Sequence, residues 1–561
     1  MSSVDLIVRG GSLIDGTGAP RHTADVAVHH GRVVEIGTLR ERGDRELDAD
    51  GLLVTPGFVD IHTHYDAQLH WDPTASPASW HGVTTLLTGN CGFTIAPAKP
   101  DDLDWLLLML SRVEGMSADA LGVGVDFKGG TLADFLDNLE GRVGVNVGVN
   151  VGHCAVRRHV MGDDASERAA TDDEITEMQQ LVRQAVDDGA IGFTSSQLDL
   201  HVAHDGRGVP SNYAKPEELI ALSSILREFG RGSIEFIPRT FLEGYADDDR
   251  ALMRAMAHAS GRPLHLNTVT RMPQARDGWK LSLDFARQTH AEGLDVHPMF
   301  ASNRQGVHFA LGNTFLFDEM PIFRDTLTLS PPERAQALRD PAVRDQMRAA
   351  LGDRRGRSFV FTCEALRIES ASLPEHQPWL DRPVSEVAAA LGRDPFDVFL
   401  DLSLAENLEL QFAMAATADP KRRAATEELI RSGLVMAGSS DGGAHVLSFC
   451  GADFTTRLIT EWVPDVLSLE EAIARLTSVP ADAYGIADRG RLAPGCAADL
   501  NLIDPGRLGT PDAPRYVRDF PAGAGRYVVD ASGYVATIVN GEVLLENGTW
   551  TGATPGTILR Q

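Results

Sequence analysis

No apolar stretch in this chain approaches the ~20 residues a membrane-spanning helix needs. The opening Met1-Ser2-Ser3-Val4-Asp5 lacks both the basic and the apolar region of a secretory signal. Cysteine is scarce: five residues, odd in number and widely spaced, do not suggest a disulfide framework. Basic residues are outnumbered, 51 Lys and Arg against 79 Asp and Glu, for a net charge of −28. Such a surface repels nucleic acid and anionic membranes, and no basic stripe interleaved with aromatics argues otherwise. Internal repeats and long low-complexity segments are also missing. What remains is a 561-residue chain, 43% hydrophobic and 23% charged, long enough to bury a large core in more than one domain. It reads as a cytoplasmic protein acting on a small molecule, with no nucleic-acid or membrane partner; a homo-oligomer is left open.

Helix and strand signals alternate through the middle of the chain. Thr171 and Glu174 form a capping-box pattern opening a helix that ends at Gly189, before the apolar run Ala190–Thr194. Pro216 opens another that ends near Gly230, before Ser233–Ile237. Helices at about 248–259 and 281–292 precede strands Leu264–Val269 and Leu294–Met299. The last three strand starts lie roughly 30 residues apart, the size of a βα unit. Adding Val54–Ile61, Val83–Thr88, Val145–Val151 and Leu434–Ala437 makes eight strands and predicts an α/β fold, a (β/α)8 TIM-type barrel. A doubly wound sheet is the rival, but no Gly-rich dinucleotide fingerprint follows the early strands. The two ends are short alternating runs broken by glycine, which suits an antiparallel sheet. They predict one small discontinuous β domain from residues 1–53 and 490–561, around a barrel at 54–489 with a lid or insertion at about 300–380.

Chemistry-bearing residues gather at the predicted C-terminal strand ends, where such barrels build their sites. His62 and His64, at i and i+2 of a strand, face one side and suit zinc or a similar divalent metal. Cys91, in Gly89-Asn90-Cys91-Gly92, offers a thiolate in a glycine-flanked turn. Glu235 is a carboxylate inside the apolar run Ser233–Ile237 and needs a cation near it. His265 alternates inward within Leu264-His265-Leu266. Asp441, in Gly438-Ser439-Ser440-Asp441-Gly442-Gly443, can take a proton from a metal-activated water and return it to a leaving nitrogen. His201 and His204 fall on a rim loop and are read as solvent-exposed.

These pieces carry a resemblance. Pro56–His64, Gly82–Gly92, Gly152-His153, Gly438–Gly442 and Gly490–Asp499 resemble the amidohydrolase superfamily, specifically its D-aminoacylase (N-acyl-D-amino-acid deacylase) branch. The resemblance implies that the small domain formed from both chain ends is β-sandwich-like. It also implies zinc-dependent hydrolysis of an N-acyl amide, with one or two ions, by metal-activated water with Asp441 as general base and acid. It implies a zinc held by a cysteine after strand two and by histidines after strands five and six. Cys91 and His265 match the first and third; Glu235 stands at the second, and His62 and His64 complete the ligand set. The branch holds the substrate carboxylate with a lysine where this chain has Asn267. Ser302, Asn303 and Arg304, or Arg239 and Arg271, are candidates to replace it, and His153 is a candidate donor to the oxyanion. The rival functions are hydrolysis of a cyclic amide or an N-formyl group, and a non-catalytic oligomeric scaffold.

Overall fold

The computed structural model describes residues 4–272, 275–300, 306–353, 357, 360, 362–414 and 419–561. Eight parallel strands carry the site: β1 (Phe58–Asp60), β2 (Val83–Thr88), β3 (Asn146–Val149, continued by Val151–Gly152), β4 (Gly192–Ser196), β5 (Ser233–Ile237), β6 (Leu264–Leu266), β7 (Val296–Phe300) and β8 (Met436–Ala437). One sheet runs in the order β8-β7-β6-β5-β4 and ends on Val151–Gly152; a second runs from β1 through β2 to Asn146–Val149. A parallel bridge between Thr63 and Gly442 joins the ends of β1 and β8, and the His64 N–H donates to the Gly442 carbonyl at 2.7 Å. The α/β class expected from the alternating helix and strand signals is observed.

Helices follow the strands because their sequences carry both stops and stripes. Thr171 and Glu174 form a reciprocal capping box on Asp172–Asp188, and Gly189 closes that helix at φ 115°, a left-handed conformation glycine adopts without penalty. Its buried stripe of Met178, Val182, Ala185 and Val186 joins Leu219 and Leu222 of the next helix, Met253 of the one after, and Val149, Phe193 and Ile234 of the strands in one core. Each such side chain fully buried contributes about 1.5–3 kcal/mol.

Several strands are shorter or shifted by one to three residues, as β6 and β8 are, and two differences matter for the architecture. The run Val54–Ile61 is two strands: Leu53–Pro56 pairs antiparallel with Leu500–Ile503, and β1 begins only after Gly57. A side chain at Gly57 would collide with Thr84, whose Oγ1 lies 2.0 Å from the position of a Cβ. The nine-stranded sheet thus formed contains Val4–Leu13 and His22–His29 from the front of the chain and Tyr534–Val539 and Glu542–Glu546 from its end. The insertion after β7 also extends further than 380. Val307–Phe309, Arg367–Ser370 and Gln411–Met414 form a three-stranded antiparallel sheet with its own apolar core around Phe309, Phe317, Phe399 and Phe412. Its attachment is polar: buried Arg112 pairs with Asp318, and the Tyr527 hydroxyl donates to Glu369 at 2.6 Å. No helix among the described residues is long and apolar enough to cross a membrane.

Candidate metal centre and its cavity

His62, His64 and Cys91 converge at the C-terminal ends of β1 and β2. Cys91 Sγ lies 3.4 Å from His62 Nε2 and 3.7 Å from His64 Nε2, and all three residues are buried. The turn that delivers Cys91 is fixed by Asn90, whose amide donates to the Thr63 and Leu87 carbonyls at 3.1 and 3.0 Å. Cys91 itself sits at φ 56°, and Ser439, Asp441 and His445 share that left-handed conformation at 62°, 51° and 51°. Non-glycine residues hold it at a cost of order 1–3 kcal/mol each, and such strain collects at functional sites. Gly443 permits the Asp441 turn, since a Cβ there would fall 2.6 Å from the His64 carbonyl oxygen.

Asp441 Oδ1 lies 3.1 Å from His62 Nε2. Burial alone would raise this carboxyl, but the bond to His62 and the nearby His62, His445 and His64 rings outweigh it and hold it below the ordinary carboxylate range. Burial pushes Glu235 up to about 7. Burial also drives the Cys91 thiol well up, reinforced by the charges of Glu235, Glu114 and Asp441. The described ion pairs of these three carboxylates are all to histidines. A buried group of two imidazoles, a thiol and several carboxylates without a fixed cation suits a divalent metal, which deprotonates a coordinating thiol.

The other ring nitrogens fit that reading. His62 Nδ1 faces Glu235 Oε1 at 3.7 Å and His64 Nδ1 faces Glu114 Oε1 at 3.2 Å. Neither Nδ1 makes a hydrogen bond among the described residues, but carboxylates on that side of metal-binding imidazoles are the outer partners such rings use. Glu235 also accepts the Cys91 N–H at 2.7 Å. The structure therefore sets Glu235 behind two of the donors instead of among them.

Strand stagger redistributes the remaining expectations. Hydrogen-bond register aligns Glu235, His265 and His297 across β5, β6 and β7, and in a staggered parallel sheet such a row departs from the strand ends. His265 consequently lies outside the donor group. It is buried, its two ring nitrogens have no hydrogen-bond partner among the described residues, and it stacks on Tyr484 with centroids 4.0 Å apart. Asn267, two residues further along, is what this segment presents to the site, with Nδ2 3.3 Å from His62 Nε2. His153 is engaged elsewhere: Nδ1 meets Ser195 Oγ at 2.8 Å and Nε2 meets Glu218 Oε1 at 2.7 Å, while buried Arg157 also pairs with Glu218. It does not line the cavity. Ser302 and Arg304, with Asn303, lie outside the described residues.

This makes His153 part of a buried ion network. Glu218→Ala, which strands Arg157, is expected to cost about 3–5 kcal/mol and to lower the unfolding midpoint with KM unchanged. An unaltered midpoint would show that the network contributes nothing to stability.

Beside the donors opens a cavity of about 220 Å³, lined by His64, Cys91, Asn267 and Asp441 and by an apolar wall that includes Leu198, Ile237, Phe241, Met272 and Phe449. His201 also lines it, against the reading of a solvent-exposed loop histidine; its Nδ1 meets Ser196 Oγ at 2.9 Å. Sequence reasoning missed Glu114 and His445. Glu114 ends a helix, where acids are disfavoured by the macrodipole, and that misplacement was its one signal.

An α/β chain that presents a buried nitrogen and sulfur donor group, an ionised carboxylate and a cavity at its parallel strand ends has the construction of a metal-dependent hydrolase. The amidohydrolase family profile matches residues 45–545, and the chain belongs to that family, on its D-aminoacylase branch. It is 27% identical over 575 residues to a D-aminoacylase of Alcaligenes xylosoxydans xylosoxydans, covering 99% of this chain and 97% of the relative. An N-acyl-D-aspartate deacylase of the same organism is 30% identical over 515 residues, covering 90% and 87%. A solved D-aminoacylase, described as having a binuclear metal centre with one-metal activation and second-metal attenuation, superposes over 100% of both chains with TM-score 0.68 and 25% identity.

Proposed function

We propose that this protein hydrolyses the amide bond of N-acyl amino acids of D configuration, using a divalent metal, zinc by the donor chemistry, held by His62, His64 and Cys91. The observation that carries the reading is Asp441 set 3.1 Å from His62 Nε2 beside that donor group, at the wall of the cavity. The eight parallel strands act as a (β/α)8 barrel, with the two chain ends (1–53 and 490–561) as one discontinuous β domain and the insertion after β7 as a lid. The protein is cytoplasmic and takes a small-molecule substrate.

A bound metal supplies a Lewis acid for the acyl carbonyl and lowers the pKa of water. The chain's own residues do the rest. Asp441, held ionised, accepts the proton of the attacking water and delivers it to the departing amine nitrogen. Glu114 and Glu235 place carboxylates near the Nδ1 sides of the two imidazoles, and Glu235 also pins the Cys91 backbone. His62, His64 and Cys91 would supply the three protein donors typical of a catalytic zinc, which supports a single ion at this centre, with His265 outside it.

Chelation is expected to abolish amine release from N-acetyl-D-methionine, and one equivalent of zinc per chain to restore it. Unchanged turnover after the metal has been removed would overturn the metal-dependent mechanism while leaving the hydrolase reading standing. Absence of both metal binding and turnover would favour the scaffold.

A further inference from the structure

The cavity carries an unbalanced cation. Among the described residues that line it, Arg422 is the one lysine or arginine, facing a wall that is otherwise largely apolar. It is half-buried and belongs to the first turn of the helix Pro420–Ser432, where the macrodipole disfavours positive charge. The nearby carboxylate is already used. Asp419 Oδ1 caps the helix by accepting the Lys421 N–H at 2.9 Å, and its Oδ2 takes the Arg271 guanidinium at 2.8 Å. Arg422 has no ion pair among the described residues, and burial accordingly draws its pKa down, against a smaller pull from Asp419. The other arginines considered for substrate are spoken for: Arg271 by Asp419, and Arg239, largely exposed, by Asp199 at 3.1 Å. Neither lines the cavity.

A guanidinium kept partly desolvated without a partner costs free energy, and its planar fork of donors matches a carboxylate. The cavity's own acids, Glu114 and Asp441, face histidines, which leaves the guanidinium free for an anionic ligand. We propose that Arg422 is the anchor for the substrate's carboxylate, and that the substrate class is an N-acyl amino acid with a large apolar side chain packed on Ile237, Phe241 and Met272. The reaction named here rests on the deacylase reading; the anion site does not.

Two arms keep those apart. In the first, 4-phenylbutyrate and 4-phenylbutyramide are titrated calorimetrically into metal-loaded wild-type, Arg422→Gln and Arg422→Lys proteins. The wild type is expected to bind the carboxylate at least tenfold tighter than the amide. Arg422→Gln is expected to erase that preference while amide binding stays unchanged, which also shows that the variant is folded; Arg422→Lys retains part of it. Equal affinities in the wild type, no binding of the carboxylate, or a preference surviving in Arg422→Gln would each overturn the proposal. In the second arm, Arg422→Gln is expected to raise KM for N-acetyl-D-phenylalanine at least tenfold with kcat within about threefold of wild type. An unchanged KM overturns the anchor. A wild type silent on this substrate but selective for the carboxylate in the first arm sinks the deacylase reading and keeps the anion site.

Discussion

Asp441→Asn is expected to lower turnover by at least about a hundredfold, the lower range for loss of a general acid–base group, while metal content stays at the wild-type level. Asparagine keeps the size and planarity of the side chain, so the strained turn at φ 51° and the Gly442–Gly443 segment behind it are undisturbed. What disappears is the negative charge that faces His62 Nε2 at 3.1 Å and the oxygen able to take a proton. Among the protein groups, the bond to His62 and the His445 and His64 rings outweigh burial and lower the pKa of that carboxyl, and a divalent cation held beside it would favour the ionised form in the same sense. Metal analysis alongside the kinetics separates two roles. Loss of metal together with activity would make Asp441 a required ligand; loss of activity alone makes it the proton carrier. Near-wild-type turnover would remove it from the mechanism altogether.

Cys91→Ser is expected to weaken metal binding by at least about a hundredfold, since changes to outer-shell partners alone cost 10–100-fold and a hydroxyl does not ionise as a thiol does. The steric change is small and the turn is held by Asn90 and Glu235 through backbone atoms, so folding is expected to persist. Cobalt substituted for the native metal supplies the second readout. A thiolate-to-metal charge-transfer band should appear in the wild type and be absent from the variant. Wild-type metal affinity in Cys91→Ser would place the ion elsewhere among the carboxylates and rule out the donor group described here.

How far these features could be read in advance follows from geometry. His62 and His64 were legible because i and i+2 share a strand face, and Cys91 and Asp441 because they fall on the same predicted rim of strand ends as those histidines. His265 has the same inward alternation, yet alternation cannot say how deep along a staggered strand a residue lies, and the site is met by Asn267 instead. His153 opens the helix His153–Met161 at the end of β3, but its ring is claimed by Glu218, which is 65 residues away in the chain. Glu114, His445 and Arg422 belong to no motif. Glu114 and Arg422 are nonetheless marked by charge of the wrong sign for their helix ends, a weak signal that only the fold converts into a site. The terminal sheet and the eight parallel strands were visible as alternating and continuous apolar runs, whereas the split at Gly57 depends on Thr84, a contact no local pattern reveals.

The central claim is tested most directly by amine release from a panel of N-acetyl and N-formyl amino acids, D and L enantiomers kept separate, with cyclic amides alongside and zinc-loaded protein throughout. Release from N-acetyl-D-amino acids with large apolar side chains, and none from their L enantiomers, is the predicted result. Silence on every N-acyl amino acid, with turnover of a cyclic amide, would contradict it and make Asn267 and Glu235 the marks of a different amidohydrolase.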